Sequence, residues 1–182
     1  MIDPIGDEAA AAPGLSATER SFTRLSGGDT TFPRILAHVP GYAEAMWDAM
    51  SEALFEGAVD HRLKEIIRIR LARTAGDPYF SSLRSVPAAE AGLTEDRIDA
   101  GCADFEDDPQ FSDSERWALR YASRMYVDPA GVDSAFYEEG KRHFTEAQIM
   151  ELGGLIALFH GMAVFMSTLA GAHMGIDFGE IG

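Results

Sequence analysis

The stretch from Thr145 to Ala170 or His173 limits the possible folds more than any other part of this chain. Between Ile149 and Leu169 it is rich in Met and Phe and apolar on more than one face, so the long helix it predicts must be covered on several sides. Such a helix is either the central element of a bundle or one that also buries itself against another subunit. Gly153 and Gly154 sit inside it. Each costs about 1 kcal/mol relative to Ala in a helix interior, and close approach of a neighbouring helix is the expected reason for them. Uninterrupted apolar runs such as Leu155 to Phe159 are far shorter than the roughly 20 residues a membrane-spanning helix needs.

The remaining patterning is also helical. Phe32 to Val39 predicts a short helix with Pro33 in its first turn, closed by Pro40-Gly41. Met46, Trp47, Met50 and Leu54 recur at helical spacing within Tyr42–Phe55. Asp60 is placed to cap a helix over His61–Thr74, which stops before Gly76-Asp77-Pro78. A short helix is expected over Tyr79–Ala91 with a break near Pro87, and Thr94 caps one reaching about Ala103. Ser112 or Asp113 begins a helix through Trp117, Leu119, Tyr121, Ala122 and Met125, and Val132–His143 forms another. No alternating Val/Ile/Thr run flanked by hairpin turns is present, so the expected class is all-α. Residues 1–30, rich in small and polar side chains, read as a largely flexible tail with one helical turn around Ala17–Leu25. A single domain is expected over 31–175 and a short tail over 176–182.

Thirty acidic against fifteen basic residues give a net charge of −15. Such a surface repels nucleic-acid and anionic membrane phosphates, so neither partner is expected. Cys102 is the chain's single cysteine. No disulfide can form within the chain, and a reducing, cytoplasmic setting is expected. The five histidines (His38, His61, His143, His160, His173) show no metal-ligand spacing, so no metal and no cofactor are expected.

The segments Phe32–Pro40, Leu63–Ala72, AAEAGLTEDRI at Ala88–Ile98, FSDSERWALRYA at Phe111–Ala122 and FTEAQIMELGGLIALFHG at Phe144–Gly161 together resemble the carboxymuconolactone decarboxylase/alkylhydroperoxidase D-like family. The resemblance implies an alkylhydroperoxidase D-like helical bundle that assembles as a homo-oligomer (dimer, trimer or hexamer). In the family's redox branch a helix glutamate precedes a Cys-x-x-Cys-x-x-x-His run. Laid on this sequence, that pattern puts the glutamate on Glu65, the two cysteines on Asp77 and Phe80, and the histidine on Arg84. Neither Asp nor Phe forms a thiolate, so dithiol peroxidase chemistry is absent here.

What remains is acid/base chemistry on a small organic acid or lactone, of decarboxylase, lyase or isomerase type. Glu65 would shuttle the proton, Arg84 would grip an anionic group with its planar fork, and Asp77 would supply a second carboxylate. Tyr79, Phe80 and His160 would shape the pocket. Each has a plainer reading: Glu65 pairs with Arg68 three residues on, Asp77 caps the turn at Pro78, and the aromatics are core. Arg70, set among apolar neighbours, is expected to meet a buried carboxylate or cap helix carbonyls. The alternative functions are a catalytically retired scaffold that binds a small ligand and, more weakly, a residual antioxidant role through Cys102.

Overall fold

The computed structural model describes residues 3–7 and 13–173. The described residues are helices joined by short turns: α1 (Pro13–Ser26), α2 (Thr31–Leu36), α3 (Pro40–Phe55), α4 (His61–Thr74), α5 (Pro78–Ser82), α6 (Val86–Glu90), α7 (Glu95–Cys102), α8 (Asp113–Val127), α9 (Ser134–Gly140) and α10 (Glu146–His173). A 3₁₀ turn at Pro129–Gly131 precedes α9. The class is all-α, as the patterning predicted.

Side-chain caps place the helix starts. Asp60 accepts from the Arg62 N–H, Ser85 from Ala88, Thr94 from Arg97 and Asp133 from Phe136. Ser112 and Glu115 form a reciprocal capping box. Each satisfies a backbone donor that the first helical turn leaves open.

Helix α10 runs through the centre and packs along α4 and α3. Its inner positions Leu152, Leu155, Ile156, Phe159, Ala163 and Met166 are all buried in the core. Gly153 faces Tyr121, whose hydroxyl would lie 2.9 Å from a Cβ there, whereas nothing lies within 4 Å of one at Gly154. Close approach therefore explains the first glycine and not the second, which faces outward. Taken as one continuous helix, Glu146–Leu169 is long and apolar enough to cross a membrane by length and composition. That differs from the reading of separate short runs, because the helix carries the apolar character past each small or polar residue.

The turn between α3 and α4 is fastened to α10. The Glu151 carboxylate accepts from the N–H groups of Ala58 and Val59, at 2.9 and 3.2 Å, and pairs with the buried Lys64 ammonium. Gly57, at φ +95°, passes so close to that carboxylate that no Cβ would fit.

The expected tail over residues 1–30 needs correcting. Pro13–Ser26 is a full helix, and Phe22 and Leu25 on it are completely buried. The Phe22 ring meets Trp47 edge-on at 4.8 Å and Phe32 at 5.6 Å. Two apolar anchors one turn apart suffice once α2 and α3 supply a surface, since each fully buried side chain contributes roughly 1.5–3 kcal/mol. Residues 1–2, 8–12 and 174–182, including the expected C-terminal tail, lie outside the described residues.

Candidate functional site

Helix α4 carries Glu65 into the core, where it is 1% exposed. Three residues along the same helix, Arg68 closes a two-pronged ion pair on it. Nε donates to Oε2 at 2.7 Å and Nη2 to Oε1 at 2.8 Å. The Ser85 N–H donates to Oε1 as well, at 2.8 Å. Arg68 then uses its remaining donors on the site loop, Nη1 on the Phe80 carbonyl and Nη2 on the Leu83 carbonyl, both at 2.7 Å. The pair thus ties α4 to α5 and to the turn that follows, in a place without solvent. This is the plainer of the two readings of Glu65.

Ser85 links this network to His61. The imidazole Nε2 lies 2.7 Å from Ser85 Oγ, and Nδ1 lies 2.9 Å from the Leu54 carbonyl. Sequence reasoning passed over Ser85, although a serine two residues before Pro87 is an N-cap signal.

Asp77 caps α5 through the N–H groups of Tyr79 and Phe80, at 3.0 and 3.2 Å, and is itself buried. Burial pushes its carboxyl up to about 6, against the pull of the two backbone donors. In the fold this group therefore holds its proton to higher pH than in the unfolded chain. Its contribution to stability is present below about pH 4 and is lost as pH rises from about 4 to about 6. The expected result is that Asp77→Asn, which keeps a capping oxygen, removes this loss and gains up to about 3 kcal/mol at pH 7 relative to pH 4. Urea unfolding of both proteins across pH 4–7 checks it; parallel pH profiles would show that Asp77 does not titrate in this window.

Tyr79 and Phe80 are core. The Tyr79 hydroxyl donates to Asp29 Oδ1 at 2.5 Å and accepts from the Phe32 N–H at 3.1 Å. Burial and the Asp29 carboxylate push that phenol up. Phe80 packs edge-on against Phe32 at 4.9 Å and Phe159 at 6.3 Å. Arg84 is not free to grip a substrate. Its Nε and Nη2 hold Glu95 at 2.8 and 2.9 Å, and its Nη1 donates to the carbonyls of Ser81 and Leu83. The Glu95 carboxylate raises the Arg84 guanidinium further. The expected constellation of Glu65, Asp77 and Arg84 around an open pocket is therefore replaced by three separately satisfied groups.

Among the expected site residues, His160 lines a cavity. The cavity holds about 190 Å³ between the C-terminal halves of α4 and α8 and the middle of α10, and is walled by Arg70, Leu71, Thr74, Ala122, Ser123, Tyr126, Val127 and His160. The His160 ring stacks on Tyr126 with centroids 3.5 Å apart. Its Nδ1 is buried and carries no hydrogen bond to the described residues. Burial lowers its basicity. Tyr126, 34 positions earlier, gave no local signal of this partnership.

The fold and these groups define an all-α, alkylhydroperoxidase D-like bundle in which Asp77 caps α5 and Phe80 lies in the core. The debrominase Bmp8 in its apo form shares the fold, with a TM-score of 0.79 over 93% of this chain and 90% of that one at 20% identity. A cysteine-to-alanine variant of Bmp8 in complex with 2,3,4-tribromopyrrole gives the same score. A protein of unknown function from Agrobacterium tumefaciens, suggested to be an AhpD antioxidant defence protein, has a TM-score of 0.64 at 18% identity, over 75% of this chain and 92% of that one. In sequence, the profile of the carboxymuconolactone decarboxylase family matches residues 40–124 of this chain. The uncharacterized protein YnjA of Escherichia coli is 32% identical over 111 residues, which is 61% of this chain and 60% of YnjA. The match thus spans less than two thirds of that relative's length.

Proposed function

We propose that this chain is a cofactor-independent enzyme that moves a proton on a small organic acid or lactone, in a decarboxylase, lyase or isomerase type of reaction, with His160 as the acid/base group. The observation that supports this is that His160 lines a cavity while its buried Nδ1 has no hydrogen-bond partner among the described residues. A buried polar atom without a partner is costly, and a substrate proton or hydroxyl would satisfy it. The flat Tyr126 ring fixes the plane in which that nitrogen points. Glu65 and Arg68 would hold the frame without touching the substrate.

Positioned proton transfer contributes about 10²–10⁴-fold. Turnover of a panel of small unsaturated acids and lactones is expected to fall by that factor in His160→Gln, with far-UV circular dichroism unchanged. Full activity in that variant on any identified substrate would end the assignment.

The second reading, a retired scaffold that binds a small ligand, is supported by the dry Glu65–Arg68 pair under Phe80. A residual antioxidant role draws no support from Cys102, whose thiol is pushed up by burial and so is poorly ionised. The cytoplasmic setting and the absence of nucleic-acid and membrane partners belong to the same proposal. So does a homo-oligomer: Ala147, Met150, Gly154, Ala157, Gly161, Val164 and Thr168 form an exposed, uncharged stripe along α10 at alternating three- and four-residue steps. That spacing suits packing against a second helix. Light scattering coupled to gel filtration should give a dimer or larger; a monomer at micromolar concentration would remove this part.

A further inference from the structure

Arg70 shares the cavity wall with His160, yet it belongs to a different hydrogen-bond network from the rest of the site. Its Nε donates to Ser123 Oγ at 3.0 Å, and its Nη1 reaches the carbonyls of Gly101 and Ala103, at 2.9 and 3.1 Å, at the C-terminal end of α7. The guanidinium lies 4.7 Å from the centre of the Phe105 ring. These contacts fix the fork while leaving Nη2 without a hydrogen bond to the described residues. Arg70 forms no ion pair among them either, in contrast to Arg34, Arg62, Arg68, Arg84 and Arg97. Asp104 and Glu106 lie near enough to favour its charge but outside ion-pair distance, and burial works against that charge.

A half-buried guanidinium held rigid by three neutral acceptors is a cation with charge left to give. In a chain of net charge −15, a small anion would find few such places. The fixed fork also removes most of the entropic cost of ordering a long side chain around a ligand. The other walls are the apolar Leu71, Ala122 and Val127, the hydroxyl-bearing Thr74 and Ser123, and the stacked Tyr126 and His160 rings. At about 190 Å³ the cavity is smaller than the roughly 300–1,000 Å³ of drug-sized ligand pockets, so it suits only a small molecule.

We infer, on the reading that this pocket is the reacting one, that Arg70 rather than Arg84 selects the ligand, and that the ligand is a small planar monocarboxylate whose carboxylate meets Arg70 Nη2 while its unsaturated body lies against Tyr126 and His160. Arg70 is then a specificity-determining residue, and His160 lines the same cavity.

The test compares benzoate with its uncharged isostere benzamide by calorimetric titration of the full chain. Wild type is expected to prefer benzoate by about tenfold, the scale of one charge-assisted hydrogen bond, and to lose that preference as salt is raised. Arg70→Met is expected to bind both equally. Arg70→Lys, which keeps the charge and the stem, should still prefer benzoate but bind it more weakly; it also serves if the methionine variant does not fold. His160→Gln should keep the preference, which separates the two claims. If the preference depends on Arg70 while His160→Gln retains turnover, the proton-transfer reading falls and the anion subsite stands. Equal affinity for the two probes in wild type, or an unchanged preference in Arg70→Met or undiminished benzoate affinity in Arg70→Lys, overturns the subsite.

Discussion

Replacing Glu65 with glutamine is expected to destabilise the protein by about 3–5 kcal/mol, the cost of leaving one member of a buried ion pair without its opposite charge. The Arg68 side chain is 0% exposed, so no water can take the place of the lost carboxylate charge. A surface pair would give less than about 1 kcal/mol. The double replacement Glu65→Leu with Arg68→Met should recover part of the loss, because apolar groups of similar volume can substitute for a buried pair. Full recovery is not expected: the Phe80 and Leu83 carbonyls and the Ser85 N–H would each lose a partner. Urea unfolding of the three proteins measures both quantities. If Glu65→Gln cost less than about 1 kcal/mol, the carboxylate would not be the structural tie described here, and a catalytic role for it would reopen.

Phe80→Ala is expected to cost about 3–5 kcal/mol, as large-to-small changes at fully buried aromatic positions do. Phe80 is 1% exposed and joins three parts of the molecule, touching Phe32 on α2, Tyr79 on its own helix and Phe159 on α10. The space it vacates cannot collapse easily, because its backbone carbonyl is held by Arg68. Phe80→Leu should cost less, by virtue of its closer volume. A midpoint shift in urea at unchanged slope would report the lost packing directly. A near-neutral Phe80→Ala would mean that the loop is loosely packed and open to a ligand.

The capping Asp77 and the core Phe80 fasten α5 to the rest of the bundle. The glutamate preceding them is retained as an anchor for Arg68. Chemistry in such a chain needs another titratable group beside a cavity, and among the described residues His160 meets that condition.

Helical class, helix order and most helix limits were legible in the sequence, since apolar spacing and the caps at Asp60, Asp77, Thr94 and Ser112 are local signals whose physics is complete within one turn. Helix α1 escaped the sequence reading because its two buried anchors acquire meaning only against Trp47 and Phe32. Which charges are tied was likewise decided in three dimensions. Glu65 could have faced a pocket or Arg68, and Arg84 could have faced a ligand or Glu95, with the same helical spacing in either case. Local periodicity says which face of a helix is apolar, but the partner a polar group meets there depends on elements far away in the chain. The meeting of Arg70, Tyr126 and His160 around one cavity is of that kind: three helices bring it about, and no segment of sequence contains it.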